Sequence, residues 1–274
     1  MHNAKTNFMR KFTIFFCVLI SFFGCQNPTQ QKVTQAENKQ QDKFIGFLKE
    51  QCNDYSTKVN DIQRKEFFDQ YEKNIVNLSD SIGILNNWEG TIKDIKTFDW
   101  SSNEATELRV ELEIKLSDDY QKLTFISDRI LANKSLDSNL IYNQVKNLTI
   151  GSSVYFDGFF SKNKANKLDF KSPITFDNKD KICDPDINFY LVSISKNKLA
   201  FTNSDKFKKV NEIQLAIWKT MEDRVEKKIT ESQFKNKLRD FKNLLEPLAT
   251  TFTKEEKQYV ASMTNCLVLQ FNKD

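Results

Sequence analysis

Four aspartates and an asparagine crowd one stretch of the chain: Asp177, Asn178, Asp180, Asp184 and Asp186. Oxygen ligands at that density are what a hard cation such as calcium selects. The spacing is not an EF-hand's, though. The turn glycine is missing, and Lys179 and Lys181 place positive charge among the acids. A solvated acidic loop is the expectation, and no metal ligand is assigned. Asp118-Asp119 reads similarly, as turn chemistry rather than a catalytic pair. Two carboxylates can hydrolyse a glycoside without histidine. Spacing alone brings no two acids of this chain together, so no catalytic residue is named.

The next chemically distinctive residue is Cys25. Before it stand Arg10-Lys11, an apolar run from Phe12 to Phe23, and Gly24. A basic start, a short apolar run and a small residue form the pattern of an export signal. The run is well short of the roughly 20 residues that cross a bilayer. With Gly24-Cys25 at its end, the segment resembles the lipobox of bacterial lipoprotein precursors, of the type Leu-Ala-Gly-Cys. Phe22 and Phe23 are bulkier than the residues usual at the two preceding positions. The resemblance covers residues 1–25 only. It implies removal of residues 1–24 as a signal peptide and lipidation of Cys25, which becomes the acylated, palmitate-bearing N-terminus.

Cleavage there has chemical consequences. The single histidine, His2, leaves with the signal. A chain without histidine lacks the usual partner of serine and cysteine nucleophiles, the commonest general base, and histidine-containing metal sites. The remaining glycines, Gly46, Gly83, Gly90, Gly151 and Gly158, build neither a Gly-x-Gly-x-x-Gly nor a Gly-x-x-x-x-Gly-Lys loop. Loss of Lys5, Arg10 and Lys11 takes the 41 basic residues to 38, against 37 acidic ones. That balance gives no broad electrostatic footprint for nucleic acid. Cys52, Cys183 and Cys266 remain, an odd set that permits at most one disulfide within the chain. Three buried, inert thiols is the simpler expectation, since free cysteine packs as a small apolar side chain.

The elements that would position these residues follow from periodicity. Residues 26–41 hold too few apolar side chains to bury a core and read as a disordered tether. Phe44, Leu48, Cys52, Tyr55 and Val59, then Phe67, Phe68, Tyr71 and Ile75, recur at helical spacing. This stripe packs against the domain that follows or, alternatively, docks a partner. Period-two segments come next: Trp88 to Ile95 (Gly90 a bulge or close-approach point), Leu108 to Leu116, and Leu123 to Ser127. The segment from Leu108 to Leu116 alternates apolar with charged residues, as in an antiparallel sheet with one wet face. A short helix over Leu140 to Leu148 precedes strands at Val154 to Phe160 and Leu168 to Phe170, with Phe189 to Ile194 terminal or extra. Three long helical patterns follow: Ser204 to Lys228, one opened by the capping box Thr230 to Gln233 and ending at Pro247, and one opened by Thr253 to Glu256.

The expected class is α+β: a small antiparallel OB-like β-barrel flanked by an N-terminal helical segment and a C-terminal three-helix region. Three strands, a helix and two more strands resembles the order of an OB-fold. The expected division is signal peptide 1–24, lipidated Cys25 and tether 25–41, helical segment 42–87, OB-like domain 88–196 and helical region 197–274. An OB-like surface holds oligosaccharide, peptide, protein edge or single-stranded nucleic acid. Trp100, Tyr120 and Tyr155 could stack bases but are better explained as packing, and export argues against nucleic acid. The expectation is a lipid-anchored envelope protein, non-enzymatic and without cofactor, on the outer membrane facing the periplasm. Its partners are the membrane, through Cys25, and a protein or glycan. The alternatives are a histidine-free carboxylate hydrolase of envelope polysaccharide and a periplasmic immunity or inhibitor lipoprotein.

Overall fold

The computed structural model describes residues 39–99, 105–116, 121–132, 139–163, 165 and 167–271. The segments expected to be a signal peptide and, nearly in full, a tether, with Cys25, Trp100, the expected turn residues Ser117, Asp118 and Asp119, and Tyr120, lie outside the described residues. The described chain is mixed α/β, with a five-stranded sheet closed into a ring and seven helices. The described residues divide into two units, one running up to Asn203 and taking in those after Thr264, the other residues 204–264.

In the first unit the strands are β1 (Ile84–Asp99), β2 (Ala105–Lys115), β3 (Lys122–Ala132), β4 (Ser153–Phe160) and β5 (Asp186–Ser195). They neighbour one another in the order β1-β2-β3-β5-β4, closing on β1. Alternation in β2 buries Leu108, Val110, Leu112 and Ile114, and the charged alternates stay on the other side. Trp88 is fully buried within edge-on or tilted reach of Phe44, Phe125, Phe156 and Phe160, with ring centroids 5.7–6.5 Å apart.

The ring is not wholly antiparallel. β3 and β5 run parallel over three pairs only, Thr124–Asp186 to Ile126–Asn188. Where that ladder stops, side chains take over the backbone of β5. Ser127 Oγ accepts from Leu191 N at 3.3 Å, Arg129 Nη1 donates to Leu191 O at 3.1 Å, and Gln144 Oε1 accepts from Ile194 N at 3.1 Å. Such partners meet the requirement that buried backbone groups be bonded.

Two strand expectations are corrected. Leu168 to Phe170 forms isolated bridges only, Lys162 with Leu168 and Phe170 with Ile187. The fifth strand is the segment around Phe189, where an unbroken buried run from Phe189 to Ile194 supplies far more apolar burial. β1 starts at Ile84 rather than Trp88. Asn87 has φ of 50° and the register shifts between Leu85 and Trp88, so regular alternation begins late. Gly90 is a close-approach point rather than a bulge: a Cβ there would meet Glu113 O at 3.3 Å and Phe156 Cε1 at 3.2 Å.

Helices α1 (Lys39–Ser56) and α2 (Asp61–Ile82) precede the sheet, and α3 (Leu140–Val145) and α4 (Lys179–Cys183) interrupt it. The stripe Phe44, Leu48, Tyr55, Phe67, Tyr71 and Ile75 shares one buried cluster with the strand residues, as packing against the following domain requires. Val59 falls between α1 and α2 and is 80% exposed. The expectation of three free thiols is corrected. Cys52 and Cys183 form a disulfide between α1 and α4, and among the described cysteines Cys266 alone is free, and it is buried. Cys52 lies on the buried face of α1, and the acidic stretch condenses into α4, which brings the two Cα atoms to 4.9 Å.

The second unit holds α5 (Asp205–Val225), α6 (Glu231–Ala249) and most of α7 (Lys254–Phe271). The Thr230–Gln233 capping box forms, and Thr253 and Glu256 exchange the equivalent pair of bonds at 2.8 and 3.2 Å. Phe207 packs against Phe252 and Tyr259 with ring centroids 5.7 and 5.6 Å apart. The expected stop at Pro247 is corrected: α6 continues to Ala249. In a final turn proline removes a single backbone bond, and the Thr250 and Thr251 hydroxyls donate to the carbonyls of Pro247 and Leu248.

Candidate functional site

The acidic stretch is occupied by local structure. Asn178 caps α4, its side chain accepting from Lys181 N. Asp184 accepts from Lys122 N at 2.9 Å, and Asp186 pairs with Lys181 at 3.1 Å. Among the described residues no group of three or more His, Cys, Asp or Glu is placed to hold a metal ion. Cys25, Asp118, Asp119, Trp100 and Tyr120 lie outside the described residues. Tyr155 sits on β4, half-buried, with Lys198 Nζ 5.2 Å from its ring centroid.

A cavity of about 260 Å³ opens between α2 and the segment 163–174. The helix supplies Phe68, Tyr71, Glu72, Ile75 and Val76, residues that helical spacing of three and four places on one side. The opposite wall is built by loop geometry. Asn163 Oδ1 accepts from Ala165 N and Lys167 N, Asp169 N donates to Ser161 O, and Lys171 N donates to Asp186 O. This pinned backbone presents Leu168, Phe170, Pro173 and Ile174 to the cavity.

Its polar groups are few. Lys167 Nζ meets Glu72 Oε2 at 2.7 Å, both partly exposed, so these two charges offset each other. Asp169 accepts from Ser161 Oγ at 2.9 Å. Glu72 and Asp169 are the carboxylates of this lining, and each is engaged by a neighbour. Tyr71 is different. It is 1% exposed, stacks with Phe47 and Phe67, and its hydroxyl finds no hydrogen-bond partner among the described residues. Burial pushes its phenol well above the usual tyrosine range.

The outer face of β1, β2 and β3 is a second surface of interest. Arg109 holds Asp128 through two bonds of 2.6 and 3.0 Å, and Lys122 pairs with Glu113 at 3.3 Å. Lys93 pairs with Glu111 at 3.6 Å, and Lys96 with Asp94. Phe98 and Ile130, 43% and 58% exposed, lie opposite Glu107 from either side. The face is thus a lattice of mutually neutralised charges with two apolar residues at one end.

Sequence reasoning placed Tyr71 on a packing stripe and missed its place at the cavity. The only available signal was the alternation of aromatic with polar residues on α2, which any amphipathic helix shows. Asp157 was also missed. It lies in β4 between apolar neighbours, fully buried, and accepts from Asn87 N at 2.5 Å and Ser193 Oγ at 2.7 Å. No protein-family model, curated protein or solved structure matches the chain.

Proposed function

We propose that the protein is a lipoprotein of the cell envelope, held to a membrane by a lipid on Cys25, and that its folded part is a non-enzymatic binding module. The Cys52–Cys183 disulfide carries this reading. Structural disulfides persist in oxidising compartments and are rare in the cytosol. An export signal ending in Gly24-Cys25 would deliver the chain to such a compartment, with the outer membrane's periplasmic face as the favoured address.

The ring is read as an OB-type barrel. Three strands, α3, then β4 and β5, with a short parallel β3–β5 pairing, support that reading. In such folds the β2–β3 face and nearby loops meet ligands. Here that face is paired acid and base, which suits a protein or glycan and gives a phosphate backbone little to bind. Engagement of both cavity carboxylates, Glu72 by Lys167 and Asp169 by Ser161, supports binding over hydrolysis.

Metabolic labelling with palmitate tests the anchor. Wild type should carry label and fractionate with membranes. Cys25→Ala should lose the label and become soluble or accumulate as precursor. Membrane association of an unlabelled wild type would end the lipoprotein reading.

A further inference from the structure

We propose that the free edge of β1 from Ile95 to Asp99 pairs with the same edge of a second copy of this chain, antiparallel about a two-fold axis at Thr97. This goes beyond the binding-module reading and does not depend on the lipid anchor. The edge exists because β1 outruns one of its neighbours. β4 covers it from Ile84 to Thr91, whereas β2 follows it as far as Asp99. Ile92 N donates to Ser152 O, so the Ile92 backbone still faces the β4 side. Lys93 is then the extra residue of a bulge, with Ile92 opposite Leu112 and Asp94 opposite Glu111. Backbone groups alternate in direction along an antiparallel ladder. Beyond the bulge, Asp94, Lys96 and Phe98 therefore turn theirs towards β2. Ile95, Thr97 and Asp99 turn theirs outwards, where no described residue pairs with them. The same strand shows how this chain covers an edge when it does. Where β2 has not yet begun, the Gln41 side chain accepts from Glu89 N at 2.8 Å and donates to Glu89 O at 2.7 Å.

Complementarity of the edge with itself identifies the occupant. With Thr97 opposite Thr97 of the copy, Ile95 meets Asp99 and Asp99 meets Ile95, so every outward group between them is bonded. On the outer face each Lys96 then lies opposite Phe98 of the copy, twice over. Phe98 is 43% exposed and already carries the Arg109 guanidinium 5.6 Å from its ring centroid, and an ammonium against an aromatic ring is favourable. An axis at Lys96 would oppose two lysines, and an axis at Ile95 would run the pairing into the bulge at Lys93. A two-fold contact uses up both edges, so association stops at the dimer. Five residues from each strand bury less than the ~1,000 Å² of a stable interface, so the dimer is weak.

Sedimentation equilibrium of the purified full chain, from micromolar to near-millimolar concentration, tests this. Wild type should pass from one chain to two. Thr97→Pro removes only an outward N–H, a change that an edge strand tolerates, and should weaken the dimer at least about tenfold with an unchanged far-ultraviolet spectrum. Phe98→Lys opposes Lys96 of the copy while facing Glu107 within its own chain, and should also weaken association. The double variant Lys96→Glu/Phe98→Lys restores opposite charges across the axis and should recover it, which damage to the fold would not. A wild type that stays monomeric throughout, association that Thr97→Pro and Phe98→Lys leave unaltered, or growth beyond two chains would overturn the proposal.

Discussion

Asp157 is buried with no cation pairing it among the described residues. Burial raises its carboxyl from 3.8 to about 6, against the smaller lowering effects of the Ser193 and Asn87 bonds. A folded-state value above the unfolded one means that the folded chain holds this proton more tightly. The associated stability is fully present below pH 3.8 and is lost as pH rises through about 6. The shift corresponds to about 3 kcal/mol. Asp157→Asn keeps the shape and the bonding capacity towards Ser193, whose hydroxyl can turn to accept. Measured by urea unfolding, the stability of the variant relative to wild type should therefore rise by about 2.4 kcal/mol between pH 4 and pH 7.5, most of that total. A difference that stays flat across that range would show that the carboxyl does not titrate as a buried acid. Nothing in the sequence marked this residue, because its burial arises from the partner strands and the turn carrying Leu199 and Thr202, which Asn87 bonds.

At the scale of elements, the β4–β5 ladder depends on a missing side chain. A Cβ at Gly158 would lie 2.5 Å from Tyr190 O and 2.9 Å from Phe189 Cδ2. Gly158→Ala forces the strands apart and should destabilise by about 1–3 kcal/mol, as overpacking does. Gly46→Ala is the control. It lies exposed in α1, where an added Cβ would meet nothing within 4 Å, and alanine there should stabilise by about 0.5–1 kcal/mol through helix propensity. Equal effects from the two substitutions, read by chemical denaturation, would refute the close-approach account. Elements with strong local signals were legible: β2 from its alternation, and α6 and α7 from their capping boxes. The start of β1 and the identity of the fifth strand were not. The first is hidden by the backbone turn at Asn87, and the second depends on which segment reaches β3 to close the ring.

Across the whole first unit, the Cys52–Cys183 bond ties residues 131 positions apart. Chain-entropy reasoning puts the maximal stabilisation from a loop of that length at ~5 kcal/mol, and measured values are commonly lower. The double substitution Cys52→Ser/Cys183→Ser should therefore cost about 2–4 kcal/mol while leaving the far-ultraviolet spectrum unchanged. Reducing the wild type should produce the same loss, and reductant should have no effect on the variant. Native-state alkylation should leave Cys266 unmodified, because it is buried and its thiol is pushed up by that burial. Reductant-insensitive stability in the wild type would remove the disulfide, and with it the observation that carries the envelope reading.

By itself the sequence determined what local chemistry determines: the basic-then-apolar pattern leading to Gly24-Cys25, the absence of histidine beyond it, the alternation of β2 and the helix starts at Thr230 and Thr253. Each pattern depends on residue types along the chain or on neighbours a few positions apart, so no folding is needed to read it. The tertiary structure decided which two cysteines pair, which strand closes the ring, that Asp157 is buried, and that Tyr71 borders a cavity. Each of these depends on segments far apart in the chain meeting in space, and it is only there that a hydroxyl can be left without a partner.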